Sequence, residues 1–140
     1  IDPWFLASAL PKSSQLIQTA RKVNNDKVNW VISKIKKQVD EFINTNERVP
    51  TIGCLGLTFK PDIDDVRESP AKKIVENLIE SNMKLLICEP NLKDLKNIKL
   101  DSLDYVLENS DLIIILVSHG EFKVIDLRNK LFIDFCGALN

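Results

Sequence analysis

The chain has 140 residues, 44% of them hydrophobic and 28% charged, with a formal net charge of −1. That balance is that of a globular protein with one ordinary core; it excludes a disordered chain and argues against a dedicated nucleic-acid binder, which carries a basic excess. No apolar run reaches the roughly 18 residues that span a bilayer. The sequence opens at Ile1 with no initiator Met and no signal peptide, so it is expected to be a piece of something longer.

Residues 1–11, IDPWFLASALP, are apolar and bounded by two prolines, and are expected to dock on the remainder. From Lys12 the pattern turns helical: Leu16, Ala20, Val23, Val28, Val31, Ile35, Val39 and Phe42 recur mostly at three- and four-residue steps, with Ile17, Ile32 and Ile43 widening the stripe. This predicts a helix of about 30 residues, about 45 Å long, which exceeds the usual globular length and should bridge two bodies or pair with another chain. Two shorter helices broken near Asn24-Asn25 are the alternative.

After NTNERVP the rhythm changes. Strands are predicted over Thr51–Thr58, Met83–Cys88, Asp111–Ser118 and Leu131–Cys136, and helices over Pro70–Asn82 and Leu103–Asn109, with residues 121–130 a short polar helix or turn. Strands buried on both faces and alternating with helices predict an α/β fold with a Rossmann-like parallel sheet. The expected organisation is a helical region over 1–46 followed by a sheet domain over 47–140.

In such sheets ligands sit at the carboxyl ends of the strands. The loop GLTFKPDIDDVRESP lies there, with Ser69 as helix N-cap and Pro70 at the first helical position. The free N–H groups of that helix start, with Lys60 and Arg67, make a candidate anion site. Asp62, Asp64, Asp65 and Glu68 oppose an anion unless they face away or pair with Arg67 and Lys72. A solvated turn with internal ion pairs is the plain alternative, and a divalent-cation site at DIDD is another, though the spacing lacks the calcium-loop pattern. The glycines of GCLGL do not form GxGxxG, and Glu89 lies beyond the usual ~20-residue spacing of a ribose-binding acid. His119, the sole histidine, follows a strand at the same end and is expected to be a solvent-exposed loop residue, with ligand contact the alternative. Cys54, Cys88 and Cys136 show no CxxC spacing and are expected to be buried, reduced thiols of a cytoplasmic protein. No complete catalytic set is readable.

The stretch GLTFKPDIDDVRESPA, with the opening DPWF, resembles the UDP-glucose/GDP-mannose dehydrogenase family. DPWF followed by TARKVNNDK is most similar to members acting on UDP-N-acetylmannosamine; members acting on UDP-N-acetylglucosamine or UDP-glucose are the alternative. The resemblance covers essentially the whole chain but only the C-terminal part of such enzymes, which join an N-terminal NAD-binding domain, a long dimer-forming helix and a UDP-binding domain. It implies NAD as cofactor, a UDP-sugar as substrate and a homodimer through the long helix, with oxidation of the sugar C6 alcohol to a carboxylate through a thiohemiacetal. The cysteine nucleophile falls upstream of Ile1 by this comparison, so the chain alone is expected to be inactive. Asp2 matches an aspartate assisting the water or proton steps, Phe59 and Lys60 match a pair contacting the UDP-sugar, and Arg67 matches an arginine reaching NAD on the other domain. The implied role of the acids is to fix the loop's shape, with Glu68 and Ser69 as scaffold. One departure is that a basic residue of the family's last strand loop aligns with Cys136. A reading from another class is a non-catalytic α/β or receiver-type module whose acids hold magnesium.

Overall fold

The computed structural model describes residues 2–139, and their side chains over 5–139. Two helices come first, α1 (Asp2–Ala9) and α2 (Gln15–Asn46). Then follow β1 (Ile52–Leu55), α3 (Pro70–Glu80), β2 (Leu85–Cys88), α4 (Leu103–Asn109), β3 (Leu112–Ile115), a 3-10 turn over Gly120–Val124, and β4 (Leu131–Asp134). The four strands form one parallel sheet in the order β2-β1-β3-β4. Rossmann-like α/β architecture is therefore present, with the long helix ahead of it.

Side-chain alternation explains how the inner strands β1 and β3 each serve two cores. On one face Cys54 and Ile114 pack with Val31, Ile35 and Val39 of α2 and Val75 and Leu78 of α3. On the other, Leu55, Ile113 and Ile115 pack with Val106 of α4, Phe122 and Leu127. β4 departs from the expected burial on both faces: it is an edge strand, and Leu131 and Phe132 are partly exposed.

The strands are shorter than the apolar runs. β1 ends at Leu55 because Gly56, at φ 93°, turns the chain out of the ladder. Its N–H still reaches Cys88 C=O at 2.9 Å. Residues 2–9, where no helix was predicted, form α1, which docks on α2. Ser14 Oγ donates to Ala7 C=O at 3.4 Å and Gln18 Nε2 to Pro11 C=O at 2.8 Å.

α2 runs unbroken through Asn24-Asn25 for 32 residues, about 48 Å. It ends at Glu47, in the left-handed region at φ 54°, whose N–H caps Ile43 C=O at 2.8 Å. Its apolar stripe divides in two. Val31, Ile32, Ile35 and Val39 enter the core, whereas Leu16 and Val23 stay 83% and 61% exposed.

Candidate functional site

Three strand ends converge where the strand order reverses: β1 leads out to β2, and the chain returns on the other side of β1 as β3. The loop from Gly56 to Ser69 sits over this crevice, the usual ligand position in such sheets. Its backbone is anchored at many points, and the anchors come from neighbouring strand ends.

Glu89, one residue past β2, is buried, and its Oε2 accepts from Leu57 N–H at 2.7 Å and Thr58 N–H at 3.1 Å. His119, past β3, has no exposed surface. Its Nε2 lies 3.0 Å from Glu89 Oε2, and its Nδ1 accepts from Asp62 N–H at 2.9 Å. Asp62 replies across the gap, its Oδ1 accepting from Gly120 N–H at 2.9 Å. Within the loop, Phe59 N–H donates to Asp65 C=O at 2.7 Å and Thr58 Oγ1 to Lys60 C=O at 2.9 Å. Ser69 closes the far end: its Oγ donates to Thr58 C=O and accepts from Lys72 N–H, capping α3.

The expected solvent-exposed His119 is thus corrected. The imidazole turns inward because the Glu89 carboxylate and the Asp62 N–H both require a partner there. The hint of a ribose acid at Glu89 also fails. Oε1 is taken by Asn91 N–H at 3.0 Å and Asn91 Nδ2 at 3.3 Å, so both oxygens face protein donors. Burial pushes the Glu89 carboxyl up, but the bonds from His119, Leu57 and Asn91 together hold it below the usual glutamate range.

The charged residues divide by role. Arg67 Nη2 bonds Asp65 Oδ2 at 2.8 Å and its Nε reaches Oδ1 at 3.0 Å; this fork holds Asp65 at about 2. Glu68, with its backbone at φ 54°, is held low first by Lys73 at 3.3 Å and then by Arg21 of α2 at 3.1 Å. Lys72 instead pairs with Glu76 at 3.4 Å. Asp62, Asp65 and Glu68 therefore serve as internal scaffold, and among the described residues no three acidic, His or Cys side chains are grouped to hold a metal.

Phe59 and Lys60 stand outside this frame. Phe59 is 49% exposed, and Lys60 Nζ lies 5.7 Å from its ring centroid. Arg67 is exposed near the end of the same loop, and Arg21, which pairs with Glu68 of the loop, is among the residues lining a shallow cleft between α1 and α2. The structure thus brings Phe59, Lys60 and Arg67 onto one loop. Asp2 opens α1, and its side chain lies outside the described residues.

Gly53 and Gly56 are committed to packing and turning. A Cβ at Gly53 would meet Ser110 Oγ at 2.6 Å and Val106 Cγ1 at 2.7 Å. These glycines do not fit a dinucleotide cradle.

The cysteines were expected to be buried thiols. Cys54 and Cys88 are buried, and burial pushes each thiol up to about 12, Glu89 adding to the rise at Cys88. Cys136 is exposed, a correction that follows from its place just past the edge strand β4. Partial cover of its Sγ and the Asp134 carboxylate 3.4 Å away push it up to about 12. None of the three is set up as a thiolate nucleophile.

Among known proteins, the sequence profile of the UDP-glucose/GDP-mannose dehydrogenase family, UDP binding domain, matches residues 53–140. The UDP-N-acetyl-D-mannosamine dehydrogenase of Campylobacter jejuni is 42% identical over 97% of this chain and 34% of that protein. The enzyme of the same name from Escherichia coli K12 is 38% identical over 92% of the chain and 33% of its own length. A solved UDP-N-acetyl-mannosamine dehydrogenase from S. aureus superposes with a TM-score of 0.77 at 28% identity, covering 99% of this chain and 33% of that one. The chain therefore spans about a third of the length of the relatives it matches.

Proposed function

Since the chain belongs to the UDP-glucose/GDP-mannose dehydrogenase family and carries its UDP binding domain, we propose that it is the UDP-sugar-binding part of an NAD-dependent UDP-N-acetyl-D-mannosamine 6-dehydrogenase. In this reading the whole enzyme works in the cytoplasm as a homodimer, oxidising the sugar C6 alcohol to the carboxylate for polysaccharide synthesis. The observation that carries it is the Phe59–Lys60 pair, displayed at the strand-order reversal on a backbone anchored by buried groups, in a chain 42% identical to a dehydrogenase of that name.

The roles follow from what each side chain can do. Lys60 supplies an ammonium to the anionic nucleotide-sugar and Phe59 an apolar ring beside it. The Arg67 guanidinium, already oriented by Asp65, is presented to NAD held by another domain. NAD, when bound, accepts hydride; this chain's residues position the sugar and close over it. Asp2 assists the proton steps. The thiolate comes from outside this chain, since Cys54, Cys88 and Cys136 all have raised pKa values. The magnesium-module alternative loses its basis because Asp62, Asp65 and Glu68 are engaged by protein donors.

The test is NADH formation by the full-length protein offered UDP-N-acetylmannosamine, UDP-N-acetylglucosamine and UDP-glucose in parallel. Two NADH per UDP-N-acetylmannosamine, with weak turnover of the others, is expected; no NADH from any of the three would end the proposal. The 140-residue chain alone should produce none.

A further inference from the structure

Neither the Lys60 nor the Arg67 assignment uses the most deeply buried polar pair of the crevice. His119 and Glu89 each have side chains with no exposed surface, and their ring nitrogen and carboxylate lie 3.0 Å apart. Such a pair is expensive to bury unless every polar atom is satisfied, and here the partners are backbone groups of the loop bearing Phe59 and Lys60.

The donors fix the tautomer. A main-chain N–H can only donate, so Nδ1, which receives the Asp62 N–H at 2.9 Å, carries no proton. Asn91 Nδ2 lies 3.0 Å from the same nitrogen and, as an N–H group, can only share that single lone pair as a donor, which agrees with an unprotonated Nδ1. Nε2 therefore carries the proton and donates a hydrogen bond to Glu89 Oε2, which also accepts from the Leu57 and Thr58 N–H groups. Glu89 thus grips the loop before Phe59, and His119 grips it after Lys60. Asp62 sits in the left-handed region at φ 58°, a conformation unfavourable for a side-chain-bearing residue. The His119 bond, with the return bond from Gly120 N–H, holds it there.

We propose that His119 and Glu89 are positioning residues that clamp the backbone on either side of Phe59 and Lys60 and so set where these two side chains meet the nucleotide-sugar. The consequence for catalysis rests on the function proposed above; the clamp itself does not. His119 touches no substrate in this arrangement and acts through the Asp62 amide. The clamp joins all three strand ends at the order reversal, so the loop is anchored to the sheet as well as by its own ion pairs.

Two substitutions separate the bonds. An Asn amide oxygen stands close to the place of Nδ1 and can receive the Asp62 N–H, whereas a Gln amide stands close to Nε2 and cannot. Hydrogen exchange on the chain should show the Asp62 amide exchanging at least about tenfold faster in His119→Gln than in the wild type, with protection restored in His119→Asn. Amides of Leu112–Ile115 should stay protected in both and report an intact fold. A nitrogen-15 spectrum of the wild-type imidazole should show the Nε2–H tautomer. In the full-length enzyme, His119→Gln should raise KM for the UDP-sugar about tenfold to a hundredfold and leave KM for NAD within about twofold. His119→Asn should recover most of that loss.

Unchanged Asp62 exchange in His119→Gln, or the Nδ1–H tautomer, overturns the clamp. Equal changes in both KM values, or a loss of active protein alone, overturn its positioning role in favour of a merely structural one. A wild-type enzyme using no UDP-sugar refutes the function proposed above, while the exchange comparison still decides whether His119 holds the loop.

Discussion

Arg48 forks onto Asp111 at the amino end of the sheet, Nη2 to Oδ1 at 2.6 Å and Nη1 to Oδ2 at 2.8 Å, across 63 residues of sequence. The same carboxylate receives the Thr51 N–H at 2.8 Å, so it joins the exit of α2, the start of β1 and the start of β3. The Arg48 bonds and the Thr51 N–H outweigh partial burial and hold Asp111 at about 2. The folded value lies below the ordinary aspartate value of about 3.9, so the stabilisation is present above that value. It is lost as pH falls from about 4 through about 2. Acid unfolding followed by circular dichroism should therefore begin at higher pH in Asp111→Asn than in the wild type. Asp111→Ala should cost more than Arg48→Ala, because it also strips the buried Thr51 N–H of its acceptor, an effect of about 1–3 kcal/mol. Asp65 is also held at about 2, but its partner Arg67 is largely exposed, so Asp65→Asn should leave the acid midpoint almost unmoved.

Gly53 gives a second stability prediction. A methyl group there would approach Ser110 Oγ, Ile113 Cδ1 and Val106 Cγ1 within 2.6–2.7 Å, and Val106 and Ile113 are fully buried. Gly53→Ala should destabilise the fold by about 1–3 kcal/mol, the usual cost of overpacking. Urea denaturation should show a lower midpoint with an unchanged slope.

Lys60 and Arg67 should separate in kinetics. A charge-assisted hydrogen bond is worth roughly 1.5–3 kcal/mol, so in the full-length enzyme Lys60→Ala should weaken UDP-sugar use about tenfold to a few hundredfold with little change in NAD affinity. Arg67→Ala should show the reverse emphasis. Both side chains leave the anchored loop toward solvent, so melting temperatures should stay close to wild type. Unchanged UDP-sugar kinetics in Lys60→Ala would remove this loop from the active site.

The parallel sheet, the Ser69–Pro70 helix start and the charged loop were legible in the sequence because each rests on local chemistry: β-branched runs, a capping hydroxyl, a fixed proline φ. What anchors the loop was not legible. His119 and Glu89 lie 30 residues apart, and only the sheet order, which puts β3 and β2 on opposite sides of β1, brings their strand ends to one crevice. A signal existed in retrospect: each polar residue follows a buried strand at its carboxyl end. The burial of His119 runs against the expectation because an isolated loop histidine is usually solvated. α1 escaped notice for a different reason, since its eight residues show no one-sided apolar pattern and its helix is completed by docking on α2.

α2 carries the remaining prediction. Leu16, Val23 and Trp30 are spaced seven residues apart and so lie along one side of the helix, and all three are exposed. Phe5, Leu6 and Leu10 on and beside α1 are exposed as well. Scattered exposed apolar residues are ordinary, but a row of them on one face marks an interaction surface. The helix half that bears it packs against α1, while the other half feeds the core through Val31, Ile35 and Val39. Proposed as a two-fold contact, the row meets its own copy, which makes the surface self-complementary and the assembly closed. Sedimentation at micromolar concentration should then give a dimer. Leu16→Glu combined with Val23→Glu should weaken association by more than about tenfold, since each buries a charge at the contact. Neither residue enters the core, so helix content and melting temperature measured on the dissociated protein should match those of diluted wild type. A wild-type monomer at these concentrations, with the helix intact by circular dichroism, would show that the row does not pair with itself.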